Sequence, residues 1–101
     1  MNRFAYVFMF DTDDGLDYND IHKKIIAISG LYSWFHYLQS SYVLISSLET
    51  DDLTQEIIKV IPNKRFLVFK IDLTSRNGWL PKEAWEWIEK MKKEVATVYY
   101  L

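Results

Sequence analysis

Cysteine is absent from this 101-residue chain, which excludes disulfides, zinc–thiolate sites and a cysteine nucleophile. Glycine and proline are scarce, three and two residues, and no repeat, low-complexity tract or linker divides the sequence. Residues 1–101 therefore read as a single domain. The apolar run from Phe4 to Phe10 is too short to span a bilayer, and it lacks the small-residue cleavage region of a signal peptide. A cytoplasmic protein with no membrane partner is the expectation. A basic excess is missing too: twelve Lys and Arg stand against fourteen Asp and Glu, a net charge of −2. Broad binding to duplex nucleic acid draws its affinity from neutralising phosphates, so this balance argues against it.

What the chain has in quantity is apolar and aromatic surface. Half the residues are hydrophobic and 17% are aromatic. A domain of this size buries only about two-thirds of the surface its unfolded chain exposes, so one small core cannot hide all of it.

Residues 3–10 are apolar on both alternating sets, the pattern of a central strand covered on two sides. The acidic turn 11–19 follows, with Asp17 and Asn19 as candidate N-caps. Ile21, Ile25 and Ile28 recur at helical spacing, and Gly30 offers the usual stop. Residues 32–38 and 41–47 are β-rich runs joined by Gln39 and Ser40, which predicts a hairpin. Thr50 is a candidate cap for a second helix with the stripe Leu53, Ile57 and Ile61, closed by Pro62. Residues 65–72 form a fourth strand. Pro81 opens a third helix lined by Ala84, Ile88, Met91 and Val95, and residues 96–101 are β-prone again. The order predicts an α+β, ferredoxin-like split βαβ domain (βαββαβ). Its four-stranded antiparallel sheet gains a C-terminal helix and a fifth strand.

Two crossover helices cover one face of such a sheet, and the other face should then turn polar. It stays apolar here: Ala5, Val7 and Met9 in the first strand, Leu67, Phe69 and Ile71 in the fourth. Such a patch needs a cover. A homodimer or higher homo-oligomer is the expected one, with the tail pairing to a partner's sheet edge. The competing reading is that the helix at 82–94 folds back and seals the face alone.

Candidate chemistry is sparse. Asp11, Asp13, Asp14 and Asp17 cluster after the first strand, and carboxylates suit magnesium, so Asp11 and Asp13 are candidate Mg2+ ligands. As a calcium EF-hand the loop fails, with His22 where a bidentate glutamate belongs. A solvated, helix-capping turn competes with the metal reading. In the hairpin, Trp34 and His36 share one strand face, an arrangement that can stack a base and exchange a proton. An interfacial histidine is the competing role. Ser40 lies beside them. Lys70 interrupts an apolar strand and needs a carboxylate, a ligand anion or a partner subunit, with Asp11 as counter-ion if the register allows. Arg76 belongs to a scattered set of basic residues that could bind an anion.

Residues 33–43, Ser-Trp-Phe-His-Tyr-Leu-Gln-Ser-Ser-Tyr-Val, resemble the hairpin of a small bacterial and phage family termed SinR-like. Residues 65–71 with Lys70 and the helix start 78–85 are similar to other segments of that family. Its fold is similar to the dimeric CRISPR adaptation subunit and to virulence-associated protein D ribonucleases. In the adaptation subunit an aspartate closing the first strand binds a divalent metal near the dimer axis. Asp11 matches that position, although Phe10-Asp11 replaces the usual Tyr-Asp.

Two functions follow as expectations. The first is a homo-oligomeric binding module, not an enzyme, that holds or sequesters a nucleotide-like ligand in phage or bacterial defence. Its ligand-binding residues would be Trp34, His36, Ser40, Lys70 and Arg76. The second is a metal-dependent endoribonuclease with Asp11 and His36 as catalytic residues. A structural subunit of a larger assembly is the third, plainer reading.

Overall fold

The computed structural model describes residues 2–12 and 15–95. The elements run β1 (Phe4–Phe10), α1 (Tyr18–Ile26), β2 (Leu31–Leu38), β3 (Ser41–Ser46), α2 (Thr50–Val60), β4 (Phe66–Ile71) and α3 (Lys82–Glu94). All strand pairs are antiparallel, in the order β2-β3-β1-β4. This is the expected ferredoxin-like α+β arrangement with an added C-terminal helix. The expected fifth strand, 96–101, lies outside the described residues.

The two-sided character of β1 has a direct counterpart in packing. On one face Tyr6, Phe8 and Phe10, joined by Tyr42 and Leu44, meet Ile21 and Ile25 of α1 and Leu53 and Ile57 of α2. On the other face Ala5 and Ile45 pack with Leu73 and Met91, and Phe35 packs with Ala84 and Ile88 of α3. Each large side chain removed from water in these two layers contributes about 1.5–3 kcal/mol. Polar contacts fix α3 in place: Trp87 Nε1 donates to Ser33 Oγ at 2.9 Å, Arg3 pairs with Glu94 at 3.0 Å, and Arg76 pairs with Glu89.

α3 thus folds back over the second face, but its core contacts run along β2, β3 and the Ala5–Ile71 end. Towards the other end of β1 and β4, Met9, Leu67 and Phe69 stay 38%, 40% and 59% exposed. The helix seals part of the face.

Local details refine the sequence reading. Asp17 caps α1, its carboxylate accepting from Asp20 N–H at 3.1 Å. α2 begins one residue earlier than a Thr50 cap requires: Glu49 is the N-cap, and Thr50 is already helical. Gly30 follows α1 by several residues instead of ending it. At φ +94° it turns the chain into β2, where an added Cβ would meet Leu48 Cγ at 2.9 Å. The buried Ser46 hydroxyl donates to Gly30 O at 2.9 Å and accepts from Leu48 N–H at 3.0 Å, closing this junction.

Candidate functional site

The register of β2 on β3 shifts between Leu31 and Ser33, and again between Phe35 and Leu38. Each shift adds a residue to β2, the signature of a β-bulge, which re-aims the side chains beside it. The second bulge contains His36. Trp34 lies opposite Leu44, so it faces the helix side of the sheet, and α1 lies over that side. His22, one position after the buried Ile21, is the α1 residue that meets the pair.

The result is a cluster of four rings. His36 stacks on Tyr42 at 3.9 Å between centroids with 11° between planes, and His22 lies 5.6 Å from His36 and edge-on to Trp34 at 4.8 Å. Tyr42 also stacks on Phe8 at 6.0 Å, and Phe8 on Phe10 at 5.2 Å. An aromatic column therefore runs from the core to the surface. There His22, Trp34 and His36 line an open groove of about 590 Å³ with Tyr18, Asn19, Tyr37, Leu38 and Gln39. A smaller hollow of about 290 Å³ shares Trp34, His36 and Tyr37 and reaches Glu83 and Trp87 of α3.

Hydrogen bonds set the character of both imidazoles. His36 Nε2 lies 3.0 Å from Gln39 O. A carbonyl oxygen accepts and never donates, so Nε2 carries the proton and the neutral ring keeps a lone pair at Nδ1. His22 Nδ1 lies 2.8 Å from the Tyr42 hydroxyl. Burial pushes the Tyr42 phenol up to about 12, so it stays protonated; a hydroxyl can donate or accept, and it donates to Nδ1 in the tautomer of neutral His22 that carries its hydrogen at Nε2. His36 keeps an acceptor at Nδ1, and in that tautomer His22 keeps a donor at Nε2, both on rings that line the groove. Among the described residues the lining of this groove contains no Lys, Arg, Asp or Glu.

Of the residues expected to form a site, Trp34 and His36 come together here. Ser40 sits in the adjoining turn, its carbonyl accepting from Phe10 N–H at 3.1 Å, and Gln39 takes the place at the groove. Lys70 faces Tyr6 across the sheet, pairs with Glu49 at 3.1 Å and sits 4.0 Å above the Phe4 ring. Asp11 is beyond the opposite end of that register, where Arg65 Nε donates to it at 2.7 Å. Asp11 is therefore the counter-ion of Arg65 and not of Lys70. Arg76 donates to Leu73 O at 2.8 Å and pairs with Glu89, tying the 73–80 loop to α3. Asp13 lies outside the described residues, and among the described ones no group of three His, Asp or Glu is placed to hold a metal ion.

His22 and Tyr42 escaped the sequence reading. Two signals pointed to them. Tyr18 and His22 are one helical turn apart beside the buried stripe of α1, and Tyr42 shares the strand face that Trp34 and His36 must join once the hairpin closes. No protein family model matches the chain, and neither a curated protein nor a solved structure matches it.

Proposed function

We propose that the chain is a binding module whose groove takes the flat, hydrogen-bonding ring of a nucleotide-like ligand. The observation that supports this most is the gathering of His22, His36 and the 40% exposed Trp34 on one groove, where His36, with Nε2–H on Gln39 O, keeps an acceptor at Nδ1, and His22 carries a donor at Nε2 when Tyr42 donates to its Nδ1. Nucleobase edges carry a donor and an acceptor side by side, and every base has a π-face to stack on an indole. Asn19 and Gln39 add amide groups at the rim. The described lining of the groove is uncharged, which favours recognition of the ring, with any phosphate left in solvent.

Asp11 pairs through Oδ2 with Arg65 and, among the described residues, belongs to no group of three His, Asp or Glu placed to hold a metal ion, so no observation favours the ribonuclease reading.

Tryptophan fluorescence tests the proposal by titration with a nucleoside, its 5′-monophosphate and inorganic phosphate. The nucleoside and nucleotide should quench with comparable affinity, and phosphate should not. Binding by phosphate alone, or by nucleotide with no trace from the nucleoside, would contradict recognition through the ring.

A further inference from the structure

We infer that β4 is an interface between two copies of this chain, paired antiparallel about a twofold axis at Val68. The backbone phase of the sheet limits the pairing to registers that join even-numbered residues, and among these the axis at Val68 sets Leu67 against Phe69. Phe10 N–H donates to Ser40 O on the β3 side, and Asp11 N–H donates to Arg65 O on the β4 side, both at 3.1 Å. In an antiparallel ladder hydrogen-bonded pairs recur at every second residue. Leu67, Phe69 and Ile71 therefore spend their backbone groups on β1, in phase with Arg65. Phe66, Val68 and Lys70 turn theirs outward, along an edge with no partner strand among the described residues.

A second β4 must form its hydrogen bonds with that outward set. Centred on Val68, the pairing places Val68 opposite its own copy and Phe66 opposite Lys70. Leu67 and Phe69 then face each other in the close, non-hydrogen-bonded positions, where cross-strand side chains approach most nearly. These are the side chains α3 leaves exposed, with Met9 behind them. Beyond the strand ends the same register sets Lys64 opposite Asp72, residues of opposite charge, in addition to the contacts each already makes in its own chain. The two sheets become one sheet of eight strands, and the apolar remnants of both copies merge across the axis.

The two sheet edges are built differently, and the difference selects β4. β2 is interrupted by two register shifts, and bulges blunt an edge against pairing. β4 keeps an unbroken register with β1 and contains neither proline nor glycine. Its one charged residue, Lys70, is held by Glu49. Among the described residues no bulge, proline or glycine interrupts this edge, and its one lysine is already paired. The groove lies at the opposite edge, so the interface is independent of what the groove binds.

Light scattering after size exclusion tests the pairing across a range of concentrations. The full chain should show twice its 12.1 kDa mass, and Phe69→Lys should return it to monomer with an unchanged circular dichroism spectrum. The cysteine-free sequence allows a second test. A mixture of Leu67→Cys and Phe69→Cys chains should oxidise to a mixed disulfide faster than either variant forms its own. A wild-type monomer at every concentration overturns the inference. So does a dimer that survives Phe69→Lys without the mixed cross-link, or a monomer that dimerises only after residues 96–101 are removed, which would assign the edge to the chain's own tail.

Discussion

Tyr42 links the core to the groove: its ring continues the stack from Phe8 to His36, and its hydroxyl shares a 2.8 Å hydrogen bond with His22 Nδ1. Its phenol is raised from 10.0 to about 12 by burial, so the folded state holds that proton more tightly than the unfolded chain. Between those two values the unfolded state binds fewer protons, and stability falls as pH rises. Tyr42→Phe removes this contribution. Its urea midpoint should therefore decline less steeply than that of the wild type between pH 10 and pH 12, with lysine deprotonation common to both. Parallel curves would show that the Tyr42 phenol is not perturbed. At this scale the sequence was half legible. Strand alternation put Trp34 and His36 on one face, but no pattern within α1 or β3 alone reveals which helix residue will cover them. The partners of Lys70 and Asp11 were likewise hidden, because both follow from cross-strand register and a hairpin sequence does not state the register of β4 on β1.

Periodicity carries the elements. The stripes Leu53–Ile57 and Ala84–Ile88–Met91 are buried as their helical spacing requires. Ile57→Ala, at a fully buried position, should cost about 2–5 kcal/mol in chemical denaturation because the cavity cannot collapse between α2 and the sheet. Turns are harder to read, because a glycine states freedom and not the angle it adopts. Gly30 is a stop signal in the sequence, yet its structural duty is the φ +94° entry into β2 against Leu48. Gly30→Ala combines a disfavoured backbone with a 2.9 Å approach to Leu48 Cγ, and should cost roughly 1–3 kcal/mol. A cost below a few tenths would mean that Leu48 moves aside and the backbone relaxes. The bulges of β2 left no mark in the sequence.

Over the whole molecule, the high aromatic content resolves into two unequal layers on one sheet. The layer under α1 and α2 is closed. The layer under α3 is closed over β2 and β3 and open at Met9, Leu67 and Phe69. Sequence alternation revealed that both faces are apolar, but the extent of cover depends on where α3 lands. That is set by Trp87–Ser33 and Arg3–Glu94, contacts between residues far apart in the chain. The two sheet edges then divide the surface, with the ring-lined groove at β2 and the regular, apolar edge at β4. The groove carries the functional reading, and its direct test is calorimetric titration of a panel of nucleosides and their edge-methylated counterparts into the wild type, Trp34→Ala and His36→Ala. A nucleoside should bind the wild type, and methylation of its ring N–H should abolish the interaction with His36. Trp34→Ala should weaken binding by about 1–3 kcal/mol, roughly 5- to 150-fold in Kd. Equal affinity in all three proteins, or no nucleoside binding at all, would contradict the groove as a ring-binding site.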